Sequence, residues 1–304
     1  KKSKSNLLAD NQFQKPQAFH ENSTYRLGGI IIFSLLILVF LYLYFSRNIF
    51  PSEYVSFCTL FFLLGLVDDL KISIAPKFRL LIMIAFLITL VISNEIYIKK
   101  TGLEFLDNLV AIDIFSLMFI CLCFLFIING SNLIDGFNGL LGIHSLIIFI
   151  VLFAINLINE NNNLIYILFY VSLLTLIFLK FNFPKAQIFL GDSGAYLFGI
   201  LIALSVIKTS ILNPSISPFF FCILLFYLFF EVFFSFFRKL FVVKQSPLFA
   251  DNQHLHMSLY KLLFKKNKTK LSSNYTVSIC INLIYLSLII PGIIFMNNGL
   301  FCRY

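Results

Sequence analysis

Long apolar runs alternate with short polar breaks along this chain, at a spacing close to one membrane crossing. Nine runs are nearly free of charge: Gly29–Phe45, Tyr54–Val67, Phe78–Ile92, Leu109–Ile128, Leu140–Ile158, Leu164–Phe181, Ala195–Ile207, Pro218–Phe237 and Tyr275–Phe295. A helix needs about 20 mostly apolar residues to cross the hydrocarbon core, so the shorter runs must borrow flanking residues. The pattern predicts an all-α fold, a polytopic integral membrane helical bundle with about nine transmembrane helices. Strands are not expected. Lipid offers no water to unpaired backbone groups, and the runs are too long and continuous for a barrel.

Composition agrees with this class. The chain is 60% hydrophobic and 12% charged, with a mean hydropathy of +0.93, which a water-soluble domain of 304 residues does not carry. Neither an internal repeat nor a separate soluble domain is visible, so residues 1–304 read as one membrane domain. Its cytoplasmic loops are expected at about 1–28, 68–77, 129–139, 182–194 and 238–274.

Five polar stretches fall at every second break: His20–Gly29, Gly65–Lys71, Asn129–Gly142, Phe189–Ala195 and Arg238–Tyr260. A chain that crosses at each run gathers all five on one face, at the water–lipid boundary. Of the 23 Lys and Arg, only Arg47, Lys99, Lys100, Lys208 and Arg303 fall on the other side. The positive-inside rule therefore makes the motif face cytoplasmic. The net charge of +9 is this topology signal, with some attraction for anionic lipid heads and phosphorylated substrates. Nucleic acid is not an expected partner, because no folded domain presents the basic residues. Cys58, Cys121, Cys123, Cys222 and Cys280 lie inside spans as small apolar groups, and the 40 Phe read mostly as lipid-facing filler.

Four of the stretches carry candidate chemistry. Asp68 and Asp69 stand where a span leaves the bilayer; they either mark a helix end or serve a site. In Asn129–Gly142, Asn129, Asn132 and Asp135 recur every three residues among four glycines. Such oxygens suit a hard cation such as Mg²⁺, and the glycines let backbone N–H groups approach phosphate; a plain turn is the alternative. Asp192 sits between glycines at the entrance to a span, as an anion site or as an N-cap. Phe189, three residues earlier, could stack on a base. In the last loop His254 and His256 follow Asp251, with Arg238, Lys239 and Lys244 before them. Zinc lacks a third ligand there, and a phosphate-contacting or proton-sharing role suits the pair better. His144, alone near the start of a run, reads as structural.

Taken in order, these stretches resemble the polyprenyl-phosphate N-acetylhexosamine-1-phosphate transferases. That integral-membrane family includes bacterial GlcNAc-1-phosphate transferases and the phospho-N-acetylmuramoyl-pentapeptide transferases of peptidoglycan synthesis. The likeness begins at His20 with Arg26-Leu27-Gly28-Gly29 and continues through Asp68-Asp69 and Asn129-x-x-Asn132-x-x-Asp135-Gly136. It runs on through Gly191-Asp192-Ser193-Gly194 to the loop from Ser246-Pro247 through Asp251, His254 and His256. Two positions depart from the family pattern: Met257 stands where a third histidine is usual, and Asn252 where an Arg is common. The short histidine loop resembles the GlcNAc-1-phosphate branch more than the muramoyl-pentapeptide branch. The family also has a span before the His20 region, so the resemblance implies a further N-terminal helix.

The resemblance implies a reaction as well. Undecaprenyl phosphate attacks the β-phosphorus of a UDP-N-acetylhexosamine, forming a lipid-linked sugar pyrophosphate and releasing UMP. Asp68, Asp69, Asp135 and Asp192 are then the catalytic carboxylates, and Asn132 and Asp192 hold Mg²⁺, or Mn²⁺ in its place. Asn129, Phe189, Arg238, His254 and His256 contact substrate. Membrane lipids are expected partners, the bacterial inner membrane is the expected location, and a homodimer is compatible with the reading. A secondary transporter is the competing class, but it would carry ionisable groups near the bilayer midplane, and here Glu231 is the main charged exception within the spans. An inactive scaffold derived from the enzyme is the third reading.

Overall fold

The computed structural model describes residues 8–10, 24–72, 74–244, 246, 253–267 and 269–304. His20, Pro247, Asp251 and Asn252 of the motif stretches lie outside them. The apolar runs become helices: α1 (Gly28–Arg47), α2 (Ser52–Asp69), α3 (Pro76–Ser93), α5 (Asp113–Ile134), α6 (Leu140–Ile158), α7 (Asn162–Asn182), α8 (Gly191–Leu212), the pair α9 (Pro218–Leu224) and α10 (Phe226–Phe237), and α12 (Lys270–Ile294). Short helices α4 (Glu104–Val110), α11 (Leu255–Asn267) and α13 (Gly299–Arg303) lie between or after them.

Among the described residues, seven helices are long and apolar enough to cross a membrane, and the bent pair α9–α10 makes an eighth. Helix α2 spans 18 residues but ends on Asp68 and Asp69, with Glu53 in its first turn. Its acids therefore sit at its two ends and leave an uncharged middle. Large apolar side chains such as Leu38, Phe45, Phe105, Ile114 and Ile158 are exposed around the bundle, which suits a lipid surround.

Three expectations need correction. The run Pro218–Phe237 is not one straight helix: it breaks at Leu225 and bends by 69°. No Pro or Gly marks the break. Instead the Tyr285 hydroxyl donates to Leu224 O at 2.6 Å, satisfying a carbonyl beside the bend from across the bundle. The loop expected at 238–274 is partly helical, with a π-helical turn over Arg238–Val243 that continues α10, and then α11. Strands are not wholly absent: β1 (Ala9–Asp10) pairs antiparallel with β2 (Thr24–Tyr25), and Tyr25 bridges Ile188. This pairing lies in the polar segment before the first span, where the lipid restriction does not act.

Helix α8 is the axis of the bundle. Every residue from Ser193 to Ile207 is buried, as expected of a helix that is apolar all round. It packs most closely against α2 and α5. Gly65 permits the α2 contact, since a Cβ there would lie 2.5 Å from Ser193 Cα. At the end of α8 away from the motifs, Asn156 Nδ2 donates to Thr209 Oγ1 (2.8 Å), while Asn161 Nδ2 donates to Asn156 Oδ1 (3.0 Å) and Asn213 Oδ1 (3.2 Å). Lys208 and Glu53 form an ion pair at 2.6 Å near the same end.

Candidate active site

The site grows from the N-terminus of α8. Asp69, at the end of α2, is buried, and its two oxygens accept the backbone N–H groups of Asp192 and Ser193, each at 2.9 Å. A carboxylate from another helix thus caps α8, where orphan N–H groups and the helix dipole favour negative charge. Gly191 makes room for it: its φ is +76°, and a Cβ would lie 2.6 Å from Asp69 Oδ2. The Arg26-Leu27-Gly28-Gly29 stretch straps the same turn, with Gly28 N–H donating to Phe189 O (2.9 Å) and Gly29 N–H to Leu190 O (2.8 Å). Phe189 N–H in turn donates to Tyr25 O at 2.9 Å, so this residue is pinned by its backbone, and its ring is half-buried.

Around this turn the polar side chains converge. Arg26 Nη1 lies 3.4 Å from Asp69 Oδ1 and 3.9 Å from Asp192 Oδ2. Asp68 takes a different cation and pairs with Arg79 of α3 at 2.8 Å. Neighbours one helical step apart face about 100° apart, so the two acids take different cations. Asn132, in the last turn of α5, donates from Nδ2 to Asp192 Oδ1 at 3.0 Å. Asp135 follows directly after α5; burial pushes its carboxyl well above the ordinary range, Asp192 adds to the shift and Arg26 opposes it. Asp192 itself keeps a third of its side chain accessible.

The Asn129–Gly142 stretch therefore divides. Asn132 and Asp135 belong to the site. Asn129 donates back to Leu125 O at 2.7 Å, within its own helix. Asn138 and Gly139 are a tied turn: Asn138 N–H meets Asn274 Oδ1 (2.8 Å), Asn138 Nδ2 meets Pro184 O (2.9 Å) and Gly139 N–H meets Asn182 Oδ1 (2.7 Å).

The histidines form a second cluster. His254 Nδ1 and His256 Nδ1 lie 2.9 and 3.2 Å from the two oxygens of Glu231, and all three side chains are fully buried. The rings are parallel, 5.4 Å apart. A carboxylate facing both Nδ1 atoms makes them the N–H sides of the rings. Burial holds His256 below the ordinary imidazole range, against the pull of Glu231. Phe137, two residues after Asp135, packs edge-on against His256 with ring centroids 5.5 Å apart, which joins this cluster to the acidic one. Arg238 sits outside both: its Nη1 donates to Gln253 Oε1 at 2.9 Å, and its guanidinium lies 5.6 Å from the Phe234 ring. Met257 is buried in the apolar core.

Arg79 and Glu231 are the contributors that motif reading missed. Arg79 carried no more than a topology charge. Glu231 did carry a signal, since a lone carboxylate within a span is unfavourable by roughly 2.5–3.5 kcal/mol at mid-helix unless it finds partners. Among the described residues no three His, Cys, Asp or Glu side chains group to hold a metal. Asp192 is a hard carboxylate donor with a third of its side chain accessible, and Asn132, whose Nδ2 donates to it, brings a second hard oxygen, its Oδ1, to the same place. They fit a cation that takes one or two protein oxygens and shares the rest with substrate phosphate, as Mg²⁺ does. They do not fit zinc.

Known proteins carry the same framework. The model of the family "Glycosyl transferase family 4" matches residues 52–210, from the start of α2 to near the end of α8, and so spans every carboxylate of the acidic cluster. A phospho-N-acetylmuramoyl-pentapeptide-transferase of Dictyoglomus turgidum is 31% identical over 92% of this chain and 85% of its own length. An undecaprenyl-phosphate alpha-N-acetylglucosaminyl 1-phosphate transferase of Thermotoga maritima is 28% identical over 78% of this chain and 68% of its own. Relatives of both kinds thus match, and the histidine-loop likeness to one branch does not separate them. The matched segment and the full-length likeness lead to one conclusion: the chain belongs to glycosyl transferase family 4.

Proposed function

We propose that this chain transfers N-acetylhexosamine-1-phosphate from a UDP-sugar to undecaprenyl phosphate, releasing UMP, as the first membrane step of a cell-envelope glycan. The carrying observation is the convergence at the end of α8: Asp68, Asp69, Asp135 and Asp192 with Arg26, Arg79 and Asn132, where spans meet water. Such a site can meet a lipid phosphate from the bilayer and a nucleotide sugar from solution.

The acceptor phosphate has a second pKa of about 6, so it is largely a dianion near pH 7 and hardly needs a base. One of its oxygens attacks the β-phosphorus; that O–P bond forms as the bond from phosphorus to the UMP oxygen breaks, and the pair of electrons leaves with UMP. Asp68, tied to Arg79, orients that guanidinium toward phosphate rather than abstracting a proton. Asp69 holds the α8 turn. Arg26 offsets part of the site's negative charge. Asp192 and Asn132 would hold Mg²⁺, or Mn²⁺, and the ion would supply the further positive charge that a diphosphate needs. Even with Asp135 holding its proton, the carboxylates outnumber the two arginines and repel a diphosphate, which is the physical argument for that cation. His254, His256 and Glu231 brace the Asp135 loop through Phe137.

The positive-inside count favours a cytoplasmic site in a bacterial inner membrane. Cysteines at Lys71 and Glu160 test this: an impermeant thiol reagent added to intact cells should label only the Glu160 position. A muramoyl-pentapeptide donor is the second reading, favoured by the 31% identity over 92% of the chain. Purified protein given undecaprenyl phosphate and Mg²⁺ with either labelled donor should put label into the lipid extract with one of them. Loss of that label with a chelator supports the metal, and no label with either donor refutes the transferase reading. Asp192→Asn should raise the Mg²⁺ requirement and Asp68→Asn should not.

A further inference from the structure

His144, in the second turn of α6, is fully buried, and its ring edge faces the side chain of Asn282 of α12. Asn282 in turn donates from Nδ2 to Leu140 O at 3.2 Å, one turn below. With its polar edge turned to Asn282, the ring offers its flat face to the rest of its surroundings.

Two tyrosines take that face. The His144 ring centroid lies 4.1 Å from Tyr285 and 5.4 Å from Tyr227. The Tyr285 hydroxyl donates to Leu224 O beside the break between α9 and α10. The Tyr227 hydroxyl, in the first turn of α10, lies 3.3 Å from His256 Nδ1. One ring therefore touches both the residue that satisfies the break and the residue that stands behind the histidine pair. Nothing in the proposed chemistry uses His144.

We propose that His144 is a positioning residue: its ring fixes Tyr285 and Tyr227 against each other, and thereby sets His256 on Glu231. The proposal rests on the transferase reading only where it concerns turnover; the placement of the histidines can be read without it.

The test uses the full chain in detergent, with His144→Ala and His144→Phe. Carbethoxylation of His254 and His256 by diethylpyrocarbonate, followed by mass spectrometry, should run about tenfold faster in His144→Ala through local opening and at the native rate in His144→Phe. Cys58, fully buried in α2, should stay equally unreactive to maleimide in all proteins, separating local from global loosening. Turnover should follow, with kcat/KM falling about tenfold in His144→Ala and recovering in His144→Phe. That loss should disappear in a Tyr227→Leu background, because the two changes cut one route. Unchanged histidine reactivity in His144→Ala overturns the proposal, whatever the activity. Raised reactivity with unchanged turnover keeps the packing link and instead removes the histidines from the reaction. Should His144→Ala fail to fold, His144→Leu, which keeps bulk without a flat ring, replaces it in every measurement.

Discussion

At one end of the bundle Asn156, Asn161, Thr209 and Asn213 bond to one another, and Glu53 is matched by Lys208. At the other end Asp68, Asp69, Asp135 and Asp192 are faced by Arg26 and Arg79. Both ends are built from short polar side chains at helix termini, yet the first is neutral and closed on itself. The second keeps an excess of acceptors and an accessible Asp192. A saturated network gives a helix end its place and little else. Unbalanced charge at an open helix end is unfavourable for the folded chain alone and becomes useful when cations and phosphates arrive from outside.

The sharpest way to break this contrast is Asp192→Asn. It should lower turnover about a hundredfold or more while leaving the melting temperature in detergent nearly unchanged, since the side chain is partly solvated. Activity within tenfold of the native chain would place the chemistry elsewhere. Glu231→Gln comes next. It removes the charge that faces both imidazoles, worth about 1.5–3 kcal/mol per charged hydrogen bond, so turnover should fall roughly tenfold to hundredfold and stability should fall with it. If the melting temperature holds, the cluster is not the brace described above.

The far end should respond in the opposite sense. Asn156→Leu removes the bonds from Asn161 and to Thr209 and should lower stability by about 1–3 kcal/mol with kcat unaltered in the folded fraction. A change in kcat would show the two ends to be coupled along α8. The smallest effect concerns pH. The Asp135 carboxyl has a raised pKa in the folded chain, so from about 3.9 upward the folded state binds more protons than the unfolded one. Stability contributed by this group should therefore fall as pH rises through that raised value. Asp135→Asn should flatten the slope of melting temperature between pH 5 and 8; an unchanged slope would mean that another group sets it.

Much of this was legible from residue order. The apolar runs located the helices because hydrocarbon admits few other backbone solutions, and the alternation of breaks brought Asp68, Asn132 and Asp192 to one end. Asn132 and Asp192, far apart in the chain, meet there through a hydrogen bond of 3.0 Å. Partner choice was not legible. Asp68 and Asp69 look alike in sequence, yet one binds Arg79 and the other caps α8. The two halves of Asn129–Gly142 also look alike, yet Asn138 and Gly139 only tie a turn. His254 and His256 read as substrate contacts, and nothing local to them signals that Glu231, 23 residues before His254, faces both rings.

Sequence by itself determined the membrane class, the helical architecture and the gathering of the motifs on one basic face, because burial in lipid and the placement of positive charge act on runs and counts that do not depend on contacts. Tertiary structure decided which carboxylate supports and which is exposed, where α9 and α10 part, and that Met257 belongs to the core. Those outcomes depend on the distances between helices far apart in the chain. No local pattern contains them.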